Sequence, residues 1–469
     1  MFIKKRSFIG ITLFIYFLIS LIVTPAFGSV DDKILQLTKE DVAKMIEKAE
    51  PLIEETTERR FKKRMKFKVV ERDTMYDILR KSNSSLLKKF YKNTDKKTIQ
   101  RQLDNTASTA SQSVMGLYSQ YKKYFYVVPS NMDFTMERFQ VEDEHFHDFV
   151  FLVVVHEMVH ALDDQYFKLV KMQKQCKDIE AMQALMNLVE GNAVYVTEII
   201  ADKLNMPQSI RTFSREVTSK LTDAQKMDSE RYIKGYNFVE AIVKEKGMAG
   251  ITAAFKSPPV LTRQILYPEE YFNPIEIAEI DYSKLFYAAA KDIPTENMER
   301  EISPVGAMDI KNSLISSGLT PDEASDIAKG CLSGSSYSAL KKLVKPKRII
   351  LKVFRFRDTE ALEKYQDANQ RIYESVLNQS KVSLNSSIDI LRDDELNLDG
   401  YGSVRLRQIE LNAMGSVTKS FELSGLMENS YISVEYINME DVTEDDAVNV
   451  LNAICSEYEK MIGNSSATL

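Results

Sequence analysis

"FLVVVHEMVHALDDQ", residues 151–165, decides how this chain is read. An unbroken apolar run from Phe149 to Val155 leads straight into His156, Glu157 and His160, with Asp163 and Asp164 close behind. By its valines alone the segment could be a strand, since short apolar runs cannot be told apart by period. Its length and its two histidines four residues apart favour a buried helix over 149–170. In a helix such residues share one face, so His156 and His160 can aim two imidazole nitrogens at one cation. Zinc takes neutral nitrogens of this kind in a tetrahedral site and, when catalytic, keeps one position for water. Glu157 adjoins the first histidine off the ligand line, where it can hydrogen-bond the metal-bound water and take its proton. This is the logic of HExxH, and "HEMVH" satisfies it.

With only four histidines in 469 residues, a chance HExxH arises in roughly a few chains per thousand. The bland alternative is two satisfied helix histidines beside an exposed glutamate. It would leave three polar groups on an apolar helix without a partner, which is costly. The third ligand must come from elsewhere, because no histidine follows His160 and Tyr166 stands where HExxHxxGxxH would need one. Glu190 is the foremost candidate, the only acid in "LMNLVEGNAVYV" (185–196). Cys176 and Glu180 are the alternatives. Asp164, at +4 from His160, is placed to hold a histidine's second nitrogen, as metal-bound imidazoles usually require; its other reading is a solvated helix surface. His145 and His147 lie in an acidic turn and are not read as ligands.

HExxH followed on a second helix by Glu190-Gly191-Asn192-Ala193 resembles the gluzincin zinc peptidases, in particular exported bacterial relatives of the one-zinc aminopeptidase-like group. The resemblance extends to "RYIKGYNFV" (231–239), where Tyr232, Lys234 and Gly235 match a Y-x-K-G stretch. In that family its tyrosine stabilises the tetrahedral intermediate, which implies the same role for Tyr232. His160 to Gln165 match HAL-x-DQ, and "PPVLTRQILYPEEY" (258–271) resembles a Pro-Pro loop of those relatives, with Tyr267 in place of histidine and Arg263 in place of an acid. Tyr267 is therefore the rival donor to the oxyanion. The match covers roughly residues 120 to 275. Aminopeptidase action is not implied, because the G-x-M-E-N stretch that clamps a free amine is missing and "PSNMDF" (129–134) does not replace it.

The chain as a whole is compatible with this reading. Apolar content of 44% and charged content of 28% are ordinary for a folded protein. The net charge of −6, with both signs mixed along the chain, excludes a nucleic-acid footprint, which needs a concentrated basic face. Three distant cysteines imply no disulfide framework. "MFIKKRS", the apolar run 8–23 and Ala26-Phe27-Gly28 have the layout of a signal peptide, so the protein is expected to be exported, periplasmic or extracellular, or else anchored by this segment uncleaved. No later stretch reaches the about 18 apolar residues needed to span a bilayer.

Around the opening stretch, helices are expected at 37–61, 181–204 and 227–247, and strands at 65–72 and 124–130. Residues 75–120 between those strands read as helical and polar, and 257–274 as a Pro-bearing loop. From about 300 the composition changes to a separate α+β region, with helices at 316–330, 359–378 and 444–462 and strands at 348–358, 402–412 and 431–437. The expected fold class is α+β: a signal peptide (1–28), a zincin-like catalytic domain with a helical part (29–300) and a smaller α+β C-terminal domain (301–469). The expected function is an exported zinc metallopeptidase with one Zn2+ per chain, acting on a peptide or protein. Water activated by Glu157 is the nucleophile. The alternative is a non-catalytic extracytoplasmic binding or scaffold protein on the same fold.

Overall fold

The computed structural model describes residues 37–466 except 91–95, 133–135, 137–140, 212–222, 294, 296, 344, 383–385, 399 and 414–415. The expected signal peptide lies outside the described residues. Helices and strands are mixed, an α+β chain, as the sequence patterning implies. Among the described residues no helix is long and apolar enough to cross a membrane. The chain divides into two compact units, one ending at Phe272 and the other beginning at Asn273, ahead of the composition change near 300.

The first unit begins with α1 (Lys39–Thr57), followed by β1 (Phe67–Val69), α2 (Arg72–Phe90), α3 (Lys96–Ser111), β2 (Gly116–Ser119) and β3 (Tyr124–Val127). The strand β2 corrects the reading of 75–120 as helical throughout. A small sheet runs in the order β1-β3-β2, with β1 parallel and β2 antiparallel to β3. Helices α4 (Phe146–Phe167), α5 (Leu169–Gln175), α6 (Ile179–Lys203), α7 (Gln208–Arg211), α8 (Asp223–Lys256), α9 (Thr262–Leu266) and α10 (Glu269–Phe272) complete the unit. The helix α8 is interrupted at Gly247 (φ 65°), where the sequence placed its end; a further helical stretch continues to Lys256.

Valine-rich α4 is helical despite the stiff χ1 of its β-branched residues. It is apolar on every side, and a helix of that kind is stable when buried all round. Here α1, β3 and α6 supply the surroundings: Val42, Ile46, Phe125, Ala193 and Val196 share one core with Phe149 to Val155. Lys168, in the left-handed region, ends the helix. Asp164 caps that end by accepting from the Leu169 amide at 3.1 Å.

The second unit holds α11 (Tyr282–Ala289), β4 (Glu299–Pro304), α12 (Ala307–Ser316), α13 (Pro321–Gly330), β5 (Cys331–Lys341), β6 (Lys347–Phe356), α14 (Thr359–Val382), β7 (Ser386–Leu396), β8 (Val404–Ala413), β9 (Ser416–Met427), β10 (Ser430–Ile437) and α15 (Glu444–Ser466). Its strands form one antiparallel sheet in the order β4-β5-β6-β10-β9-β8-β7. Alternate residues Leu351, Val353, Ile432 and Val434 build a core with Leu285 and Phe286 of α11 and Leu451 and Ile454 of α15. That packing assigns 282–289 to this unit. On the opposite face Phe354 and Phe356 pack with α12, α13 and α14.

Candidate metal centre

His156 and His160 project from the same face of α4, and their Nε2 atoms are 3.1 Å apart. Glu190, on the facing helix α6, places one oxygen, Oε2, 3.3 Å from each nitrogen. A tetrahedral zinc with bonds of about 2.0–2.1 Å separates its ligand atoms by roughly 3.3–3.4 Å. The two histidines and Glu190 thus already form a triangle close to one face of such a tetrahedron. Glu157 belongs to the same group: ligand atoms of His156, Glu157 and His160 lie within 4.8 Å of one another. However, Glu157 Oε2 accepts from the Tyr118 amide of β2 at 2.5 Å, while Glu190 touches both imidazoles. On distance Glu190 is the better candidate for a third ligand, with Glu157 the other acid beside the two histidines.

The electrostatics favour a cation in the triangle. Burial works against charge on His160, yet the Glu190 carboxylate, with Glu157 and Asp163 behind it, holds its pKa up to about 9. Burial would raise Glu190 as well, but His160 and His156 keep it well below the usual carboxylate range. Both directions express one attraction, between the Glu190 carboxylate and positive charge on the imidazoles. The His156 and Glu190 side chains are 15% and 20% exposed, so the triangle is not sealed from solvent.

The other third-ligand candidates point elsewhere. Glu180 accepts from the Thr262 amide and hydroxyl, both at 3.2 Å. The Cys176 thiol donates to the Met172 carbonyl, and burial pushes its pKa up to about 11.

Asp164 does not hold an imidazole, which corrects the reading made from its +4 spacing. Its carboxylate is taken by the Tyr118 hydroxyl (2.9 Å), the Lys123 ammonium and the Leu169 amide. Asp163 is the acid buried behind His160. It pairs with Arg59 at 2.8 Å and accepts from Asn192 at 2.7 Å. Positions +3 and +4 on a helix are both neighbours of the histidine, so spacing alone could not choose between the two acids. His160 Nδ1 is buried and, among the described residues, has no hydrogen-bond partner.

Glu190 and Tyr232 come from helices that meet at two glycines. A Cβ on Gly191 would sit 2.1 Å from the Gly235 carbonyl oxygen, and one on Gly235 would sit 2.3 Å from the Asn187 carbonyl oxygen. With no side chains between them, α6 and α8 touch backbone to backbone. The residue just before Gly191 is the ligand candidate, and the one three before Gly235 is Tyr232. The Tyr232 ring centroid is 6.3 Å from that of His156, and the tyrosine is partly exposed. Gly235→Ala is therefore expected to destabilise the fold. Alanine gains about 1 kcal/mol of helix propensity, but overpacking costs about 1–3 kcal/mol, and the atom met here is main chain that cannot rotate away. A thermal melt checks this; an unchanged or raised Tm would show that the helices separate freely.

Tyr267, the rival donor, is buried, 7% exposed, just after α9. In the same loop Arg263 is buried in a bidentate pair with Glu270, at 2.5 and 2.8 Å. Arg263 thus has its own acid within the loop.

No family model matches the chain, and no curated protein matches it. Among solved structures, a protein from Chloroflexus aurantiacus described as a "putative hydrolase with a novel fold" is similar at 20% identity and a TM-score of 0.38, over 53% of this chain and 93% of that one.

Proposed function

We propose that the protein is an exported zinc-dependent metallopeptidase that hydrolyses peptide bonds. The observation that carries this reading is the triangle of His156 Nε2, His160 Nε2 and Glu190 Oε2 at 3.1 and 3.3 Å, with a carboxylate beside it. Export rests on the basic and apolar start of the sequence. His156, His160 and Glu190 would hold the zinc, two neutral nitrogens and a carboxylate, a known catalytic set. When bound, zinc supplies Lewis-acid polarisation of a peptide carbonyl and of the attacking water.

The remaining chemistry belongs to the chain. Glu157 takes the proton of the water at a carboxylate oxygen and can return it to the leaving amine. Tyr232 donates its phenolic proton in a hydrogen bond to the carbonyl oxygen as charge develops there, so it acts in the transition state more than in the bound state. Removing one such donor typically costs ~100- to 1000-fold in turnover. Tyr232→Phe is expected to lower kcat by about that range with zinc content and Tm little changed. If kcat stays within about threefold while Tyr267→Phe collapses it, the oxyanion role belongs to Tyr267.

The reading as a whole is tested by metal analysis of the purified protein together with a broad peptide-library assay. About one zinc per chain with cleavage supports it. Zinc without any cleavage favours the binding or scaffold alternative, and no zinc overturns the metal site itself.

A further inference from the structure

The strand β2 lies against α4 beside Glu157, and three contacts fix it there. Gly116 allows the approach: a Cβ at that position would be 2.9 Å from Val153 Cγ1, 3.0 Å from the Phe125 ring and 3.4 Å from Glu157 Cγ. The Lys123 ammonium, at the turn after β2, pairs with Asp164. The buried Tyr118 side chain donates its hydroxyl to Asp164 Oδ2 at 2.9 Å, and burial with the Asp164 charge raises the phenol's pKa, keeping it a donor.

The backbone of β2 then has a defined direction. Met115 O, next to β2, accepts from Val128 N opposite it, so the odd-numbered residues turn their hydrogen-bonding groups toward β3. In an antiparallel pair the alternate residues turn theirs away. Tyr118 is one of these at the sheet edge, and its N–H meets Glu157 Oε2 at 2.5 Å.

We propose that Tyr118 and Asp164 are positioning residues for Glu157. Asp164 holds the Tyr118 hydroxyl, which sets the register of β2, and the Tyr118 amide in turn fixes one oxygen of the Glu157 carboxylate so that the other faces the reacting water. This rests on the reading of Glu157 as the base. It gives Asp164 a part in the site through the strand, not through an imidazole. The strand also occupies Oε2 with a donor that has no proton-transfer role, so a single oxygen of Glu157 remains to exchange protons.

The test uses the full chain loaded with zinc and a peptide that the wild type cleaves. Outer partners that orient a reacting group typically contribute ~10- to 100-fold. Tyr118→Phe, which keeps the ring and loses only the hydroxyl, is expected to lower kcat about tenfold, with KM, zinc content and Tm close to wild type. Asp164→Ala, which also frees Lys123 and the Leu169 amide, should give at least that fall, and the double variant no more than Asp164→Ala alone, because the Tyr118 hydroxyl acts through Asp164. Unchanged kcat in Tyr118→Phe, effects that multiply in the double variant, or a fall in Tyr118→Phe matched by loss of zinc or of Tm would each overturn the proposal. A wild type that cleaves nothing, or a Glu157→Gln protein that cleaves normally, would overturn the reading of Glu157 and this inference with it. A wild type that cleaves and a Glu157→Gln protein that does not, together with full kcat in Tyr118→Phe, remove the inference alone.

Discussion

Glu157→Gln is expected to keep the metal and to cut peptide hydrolysis by about 10²- to 10⁴-fold, the usual contribution of a positioned acid–base group. Glutamine has the same size and retains one oxygen that can still accept from the Tyr118 amide, now 2.5 Å from Oε2. What it loses is the ability to take a proton. The metal should stay because Glu157 is not part of the triangle that His156, His160 and Glu190 form. Zinc content by elemental analysis and kcat on a cleaved library peptide measure the two halves of this expectation separately. A variant that still turns over at a near-native rate would falsify the mechanism. A variant that loses its zinc would move Glu157 from base to ligand.

Glu190→Ala is expected to lose most of the zinc, and peptidase activity with it. The carboxylate would supply one of three ligand atoms and, among the described residues, the negative charge that touches both imidazoles, at 3.3 Å each. Two imidazoles without it leave a cation with half a tetrahedral shell and with weaker compensation for its desolvation. Glu180→Ala and Cys176→Ser serve as comparisons. Glu180 is engaged by Thr262 and Cys176 by the Met172 carbonyl, so both variants should keep zinc near one per chain. Full zinc in Glu190→Ala together with an empty site in either comparison would show that the third ligand is misassigned.

The arrangement of these groups was legible where it depends on neighbours along the chain. The i, i+4 spacing of His156 and His160 brings two nitrogens together wherever α4 is placed. An acid in the apolar stretch around Glu190 signals a partner, because burying it alone is costly. The α+β class also followed from patterning, as did β6 and β10, whose apolar residues alternate. Strands β5, "CLSGSSYSALK", and β7, "SSIDILRDDEL", carry serines and charges in place of a clear period. They are strands because each pairs along its length with a neighbour, and pairing at a distance leaves no mark in local composition.

At the site the same division holds. The sequence alone determined which residues are candidates: two histidines and a glutamate in helical register, a second glutamate in an apolar helix, and a tyrosine ahead of Gly235. It could not rank Asp163 against Asp164, since both lie one turn beyond His160. Nor could it bring β2 beside Glu157, since "GLYS" is short and without a period. Those questions were decided by packing. The contact of Gly191 with Gly235 sets how closely α6 meets α8, and the Tyr118–Asp164 bond sets where β2 lies on α4. Each joins segments more than 40 positions apart in the chain, a separation over which backbone geometry carries no information and only the filled space between side chains fixes the distance.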